Sequence, residues 1–140
     1  MINRILVPVD GSAAALRALR FAGSRKQSAA GNVSILVLNV QAPLPPSRYV
    51  TRPMIKDDSS RMSHAALRSA RSTARRLKLD ARFYVRQGDP ATSIARFAKT
   101  MNCSEIIIGT RGRGRVAVFV VGSVALRVVQ LSKIPVTLVK

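Results

Sequence analysis

Residues 106–108 are three isoleucines in a row, and a run that is apolar on both of its alternating faces belongs in a sheet covered from both sides. The run stops at Gly109. Gly112 and Gly114 follow among Arg111, Arg113 and Arg115, and Gly122-Ser123 precedes a segment with helical spacing at Val124, Val128 and Leu131. Glycine lets a backbone approach a ligand closely, while a helix start presents unpaired N–H groups and the positive end of a dipole. Strand, glycine-rich turn and helix start together favour an anion, and a nucleotide phosphate is the natural candidate. The same glycines also have a packing reading, in which they merely let a helix close tightly on the sheet.

The rest of the chain alternates in the same way. Residues 4–9 read as a first strand, although Pro8 lacks the N–H that an interior strand needs, unless the ladder is ending there. Asp10-Gly11-Ser12 supplies a turn with Ser12 as a helix cap, and a helix over 13–26 follows with Leu16, Leu19 and Gly23 on its inner stripe, broadened by Ala15, Ala18 and Ala22. A second apolar strand spans 32–40. From 41 to 58 the pattern is lost, and Pro43, Pro45, Pro46 and Pro53 argue for an irregular segment that serves as a lid or partner surface. A helix is expected from Ser59 or Ser60 to Lys78, with Met62, Ala66, Ala70, Thr73 and Leu77 inward and Arg61, Arg68, Arg71, Arg75, Arg76 and Lys78 outward. Phe83 and Val85 alternate inward along a strand over 81–86 of edge character. Asp89-Pro90 opens a helix with Ile94, Phe97, Ala98 and Met101 on one face, and a last strand follows Pro135. Strands that alternate with helices imply right-handed crossovers and a single parallel, doubly wound α/β sheet with helices on both faces.

The glycine turn also carries a family resemblance. Gly109, Gly112 and Gly122-Ser123 reproduce the G-x2-G-x9-G-S/T signature of ATP-binding universal stress proteins, residues 5–12 resemble that family's opening strand, and 134–139 its closing one. The match spans essentially the whole chain, as one domain over 1–140. The resemblance implies a five-stranded Rossmann-like sheet of the adenine nucleotide α-hydrolase kind, in the order 3-2-1-4-5. It also implies that Asp10 and the main chain of Val40 address the adenine and ribose of ATP, over a floor shaped by Pro8, Val9 and Gly11, with Ser12 beside them. Gly109, Thr110 and Gly112 would follow the ribose and phosphates, and Gly122, Ser123 and Val124 would donate N–H groups, with the Ser123 hydroxyl, to the β and γ phosphates. Arg111, Arg113 and Arg115 are extra to the pattern, and a guanidinium that grips two oxygens at once makes Arg111 and Arg115 candidates to clamp the phosphate tail. The apolar stretch 116–121, with Phe119, departs from the more mixed segment common in the family.

Composition narrows the function further. The 24 Lys and Arg against 6 Asp and Glu give a net charge of +18, which predicts attraction to polyanions. Because the arginines are spread over every segment and aromatic residues are few, specific nucleic-acid binding is the disfavoured partner reading. With no apolar run of about 20 residues and no leader pattern, a soluble cytoplasmic protein is expected. One histidine, His64, and one cysteine, Cys103, supply neither a metal set nor a nucleophile and base, and no P-loop lysine is present. The relatives of this fold that adenylate use a serine-glycine-glycine loop where this chain has Asp10-Gly11-Ser12-Ala13-Ala14. ATP hydrolysis is therefore expected to be slow at most, with ATP as a regulatory ligand; whether Mg²⁺ or Mn²⁺ accompanies it stays open. The free edge of the last strand, 136–139, suggests a homodimer. The alternative is a nucleotide-independent basic adaptor or nucleic-acid-binding protein of the same fold.

Overall fold

Buried on both faces, the apolar runs become the middle layer of a three-layer sandwich. The computed structural model describes residues 3–42, 52–110 and 121–140, with the backbone alone from 52 to 60. In chain order the elements are β1 (Asn3–Pro8), α1 (Ala13–Ser28), β2 (Val33–Gln41), α2 (Arg52–Arg76), β3 (Ala81–Gln87), α3 (Pro90–Thr100), β4 (Glu105–Gly109), α4 (Ser123–Leu131) and β5 (Val136–Val139). The strands form one parallel sheet in the order β3-β2-β1-β4-β5. Ile5, Val7, Ile35, Val37 and Ile107 pack under α1 and α2, whereas Leu6, Leu36, Leu38, Ile106 and Ile108 pack under α3 and α4. Each central strand therefore needs apolar residues at odd and even positions alike.

Pro8 sits where the ladder permits it. The Val9 N–H donates to the Leu38 carbonyl at 2.8 Å, so the amide position before it points the other way, toward β4. On that side the register ends at Leu6 opposite Ile106, and no ladder bond is lost.

Three sequence expectations need correction. The helix expected from Ser59 or Ser60 begins at Arg52, with Pro53 as its second residue, a position whose N–H has no intrahelical acceptor to lose. Residues 43–51 of the expected irregular segment, with Pro43, Pro45 and Pro46, lie outside the described residues. The inner stripe of α2 is Ser63, Ala66, Leu67, Ala70, Thr73 and Ala74, while Met62 is 58% exposed. Its packing uses small side chains, which a search for large apolar residues passes over. At β3 both faces are covered: Phe83 packs on the α1–α2 side, Tyr84 on the other with its ring 5.0 Å from Phe97, and Val85 is left exposed.

The start of α3 follows its sequence signal. Asp89 caps the helix, its Oδ2 accepting the Thr92 hydroxyl at 2.7 Å and the Thr92 N–H at 3.0 Å, with Pro90 in the first turn. The hydroxyl bond, then the amide bond, hold this carboxyl below its ordinary 3.8. A depressed folded value means that the cap stabilises the protein above the unfolded pKa and stops doing so as pH falls. The difference in melting temperature between the native chain and Asp89→Ala should therefore shrink on going from about pH 5 to about pH 3. A difference that stays constant over that range would contradict the assignment.

Candidate functional site

At the carboxyl ends of the strands, β1 leads into α1 on one side of the sheet, while α4 lies on the other side after β4. Neighbouring strands whose helices depart to opposite faces leave a crevice between them. That crevice is a cleft of about 170 Å³. Pro8, Val9, Asp10 and Ser12 line it from the β1 side, Val40 from β2, Gly109 from β4, and Gly122, Ser123 and Val124 from the start of α4.

The β1 exit is a tightly bonded turn. Asp10 Oδ1 accepts the Ser12 N–H at 2.9 Å, Gly11 takes φ +87°, and Ser12 Oγ accepts the Ala15 N–H at 3.2 Å as the cap of α1. Asp10 itself remains exposed. Beneath this turn, Asn39 is fully buried; its Nδ2 donates to the Val9 carbonyl at 2.8 Å and its Oδ1 accepts from Gln41 Nε2 at 2.9 Å. Asn39 thus fixes the carbonyl next to Asp10.

The opposite wall is a helix start without a side-chain cap. Gly122 is the cap residue and its carbonyl accepts the Leu126 N–H at 3.0 Å, the first bond inside the helix. The N–H groups of Ser123, Val124 and Ala125 consequently have no acceptor among the described residues, and they stand at the positive end of α4. Anionic oxygens with several acceptor positions match this donor set, and the mostly apolar floor suits a flat ring.

Two expected site residues face elsewhere. Thr110 is fully buried, its N–H and Oγ1 both donating to the Val139 carbonyl, at 2.9 and 3.1 Å, so it ties β4 to the end of β5. Gly11 shapes the turn, packing 3.5 Å from the Ala66 backbone at its ideal Cβ position, without lining the cleft. Arg111, Gly112, Arg113 and Arg115, with Gly114 and Phe119, lie outside the described residues. The sequence reading also missed cleft residues. Ala14, Ala15, Leu38, Pro90, Ile94, Ile108 and Ala125 contribute to the lining, and as apolar or turn residues they carried no signal separating them from core. Asn39 did carry one, as the only strongly polar residue within 35–40.

Gly109 has a second role. A Cβ placed there would lie 2.2 Å from the Ala14 carbonyl oxygen and 2.5 Å from its carbon, so the first glycine of the signature lets α1 rest directly on β4. Cys103 is buried under α3, where desolvation pushes its thiol up to about 11 and keeps it protonated at neutral pH. Among the described residues no three His, Cys, Asp or Glu side chains come together as a metal site, and no helix is long and apolar enough to cross a membrane.

The sequence model of the universal stress protein family matches residues 1–140. The chain belongs to the universal stress protein family. Universal stress protein YxiE of Bacillus subtilis is 29% identical to it over 148 residues, covering 100% of both chains. Universal stress protein UspA from Lactobacillus plantarum superposes with a TM-score of 0.78 at 20% identity, over 99% of this chain and 97% of that one. A universal stress protein family protein from Arabidopsis thaliana with AMP bound superposes with a TM-score of 0.69 at 19% identity, over 99% and 91% of the two chains. At such identities the two structures speak for the fold of this universal stress protein.

Proposed function

We propose that this universal stress protein is a cytoplasmic regulator in stress response or signalling whose ligand is ATP. The observation that carries the reading is the pairing, across one cleft, of the Asp10 turn with the uncapped amides of Ser123, Val124 and Ala125. In this arrangement Asp10 Oδ2 and the Val40 main chain meet the ribose and base, while the α4 amides and the Ser123 hydroxyl meet the phosphates. AMP in the Arabidopsis relative supports a fold of this kind accepting an adenine nucleotide. If Mg²⁺ or Mn²⁺ accompanies ATP, phosphate oxygens and water supply most of its ligands. Among the described residues Asp10 is the one carboxylate in the cleft lining, and one of its oxygens already holds the Ser12 amide, so the nucleotide acts by occupancy, with slow hydrolysis at most.

Calorimetric titration with ATP should show saturable binding, and Ser123→Ala should weaken it by about tenfold, the worth of one hydrogen bond to a charged oxygen. Gly122→Val should weaken it further by placing a branched side chain at the rim. Absence of binding by the unmutated protein at millimolar ATP rejects the reading. The nucleotide-independent alternative draws its support from the packing role of Gly109, and it requires polyanion retention that Gly122→Val leaves unchanged.

A homodimer through β5 belongs to the same proposal. β5 is one of the two edge strands, and Leu126, Val129 and Leu131 of the neighbouring α4 expose between 41% and 50% of their surface. Sedimentation equilibrium should find a dimer, and a monomer at every concentration tested would remove this part.

A further inference from the structure

The proposed nucleotide cleft leaves the charge of +18 unexplained. Basic residues that look scattered in the sequence are concentrated by α2. From residue 64 to 78 the chain has no Asp or Glu, and His64, Arg68, Arg71 and Arg75 fall at i, i+4, i+7 and i+11, which is one side of α2, with Lys78 in the turn just past its end. All five are exposed. The buried stripe through Ala66, Ala70 and Thr73 lies nearly half a turn away, so the cationic row runs along the outer flank of α2. That flank adjoins β3, one edge of the sheet: the Arg71 guanidinium sits 4.7 Å from the Phe83 ring centre. A groove of about 210 Å³, floored by Leu67, follows the row between His64 and Arg75.

Among the described residues these cations are not neutralised from within. The ion pair found among the described residues is Arg25 with Glu105, at 3.0 Å. No described carboxylate lies within ion-pair reach of Arg68, Arg71, Arg75 or Lys78. From Arg68 to its end at Arg76 the helix rises about 12 Å, a length along which one strand of a duplex presents about four phosphates.

We propose that the flank of α2 is a docking surface for the phosphate backbone of nucleic acid, separate from the nucleotide cleft. Three features select this partner. The row is mainly arginine, whose planar fork grips phosphate oxygens in pairs. Each of the four described aromatic rings already has a guanidinium near it: Arg25 by Phe21, Arg71 by Phe83, and Arg86 by Tyr84 and Phe97. Base stacking therefore contributes little, and binding reads backbone instead of sequence. Finally, the row carries no Trp, Phe or Leu to insert into a lipid surface, unlike an interfacial membrane helix.

The test is fluorescence anisotropy of the full chain with a labelled random-sequence DNA duplex of about 20 base pairs, at salt from about 50 to about 200 mM. Four neutralised phosphates predict a log–log salt slope of about −3.6, an affinity loss of about 150-fold over that range. Arg68→Gln with Arg75→Gln should halve the slope to about −1.8. Arg96→Gln with Lys133→Gln removes the same charge from the α3–α4 side and should leave the slope near its starting value. Melting temperatures check that both variants fold, and ATP titration reads the cleft independently, so either reading can fail alone. No binding at the lowest salt, equal slope changes in the two variants, or capture by phosphatidylserine vesicles without duplex binding would each overturn the proposal.

Discussion

Gly109→Ala should lower the stability of this universal stress protein by about 3 kcal/mol or more, at the upper end of what one added methyl group costs in a packed core. The new Cβ would fall 2.2 Å from the Ala14 carbonyl oxygen, 2.5 Å from the Ala14 carbonyl carbon and 3.1 Å from the Ala14 Cβ. Two of these neighbours are backbone, so no side-chain rotation relieves the clash and α1 must retreat from the sheet. Its inner face, Ala15, Ala18, Leu19 and Ala22, is buried, and moving it loosens that whole contact. Gly122→Ala makes the contrast. That residue is a half-buried helix cap, and the substitution should cost about 1 kcal/mol or less. Urea denaturation of the two variants separates the roles; similar midpoints for both would show that Gly109 is not needed for packing.

This difference between two glycines of one motif shows where sequence reading succeeds and where it stops. The alternation of strands and helices in one parallel sheet was legible because continuous apolar runs, Ser12 and Asp89 at helix starts, and glycine or proline at element ends all report on local backbone needs, whereas the strand order came with the family resemblance. What a residue touches across the sheet is not local. Gly109 meets Ala14 and Thr110 meets Val139, contacts set by how β4 lies beside α1 and β5. The start of α2 was misplaced because Pro53 reads as a breaker until it is known to be the second residue of a helix. Its cationic row was visible as spacing, but whether acids from elsewhere neutralise it depends on the tertiary arrangement. Most of the cleft lining is apolar and serves core and site together, so no sequence pattern distinguishes the two uses.

Asn39→Asp should be the most informative change beneath the cleft. The substitution keeps the size of the side chain but replaces the Nδ2 donor, so a carboxylate oxygen would face the Val9 carbonyl across what is now a 2.8 Å hydrogen bond. Asn39 is fully buried, and an ionised group there loses its hydration while the Val9 carbonyl loses its donor. The expected loss at neutral pH is about 3 kcal/mol or more. Burial and the facing carbonyl both favour the protonated acid, so the folded pKa of the new group is raised above its unfolded value. The sign of the pH dependence follows: with its proton on, the carboxyl donates to Val9 and little is lost, whereas stability falls as pH rises above the unfolded value near 4. This is the reverse of the behaviour expected at Asp89. Denaturant midpoints for the native chain and the variant should therefore lie close at about pH 4 and diverge toward about pH 8. A variant as stable as the native chain at neutral pH would show that the Val9 carbonyl is held by something other than Asn39. Should the divergence appear, the same series repeated with ATP present reports whether displacing Val9 also disturbs the Asp10 turn, since a cleft that depends on this carbonyl loses affinity along the same pH course.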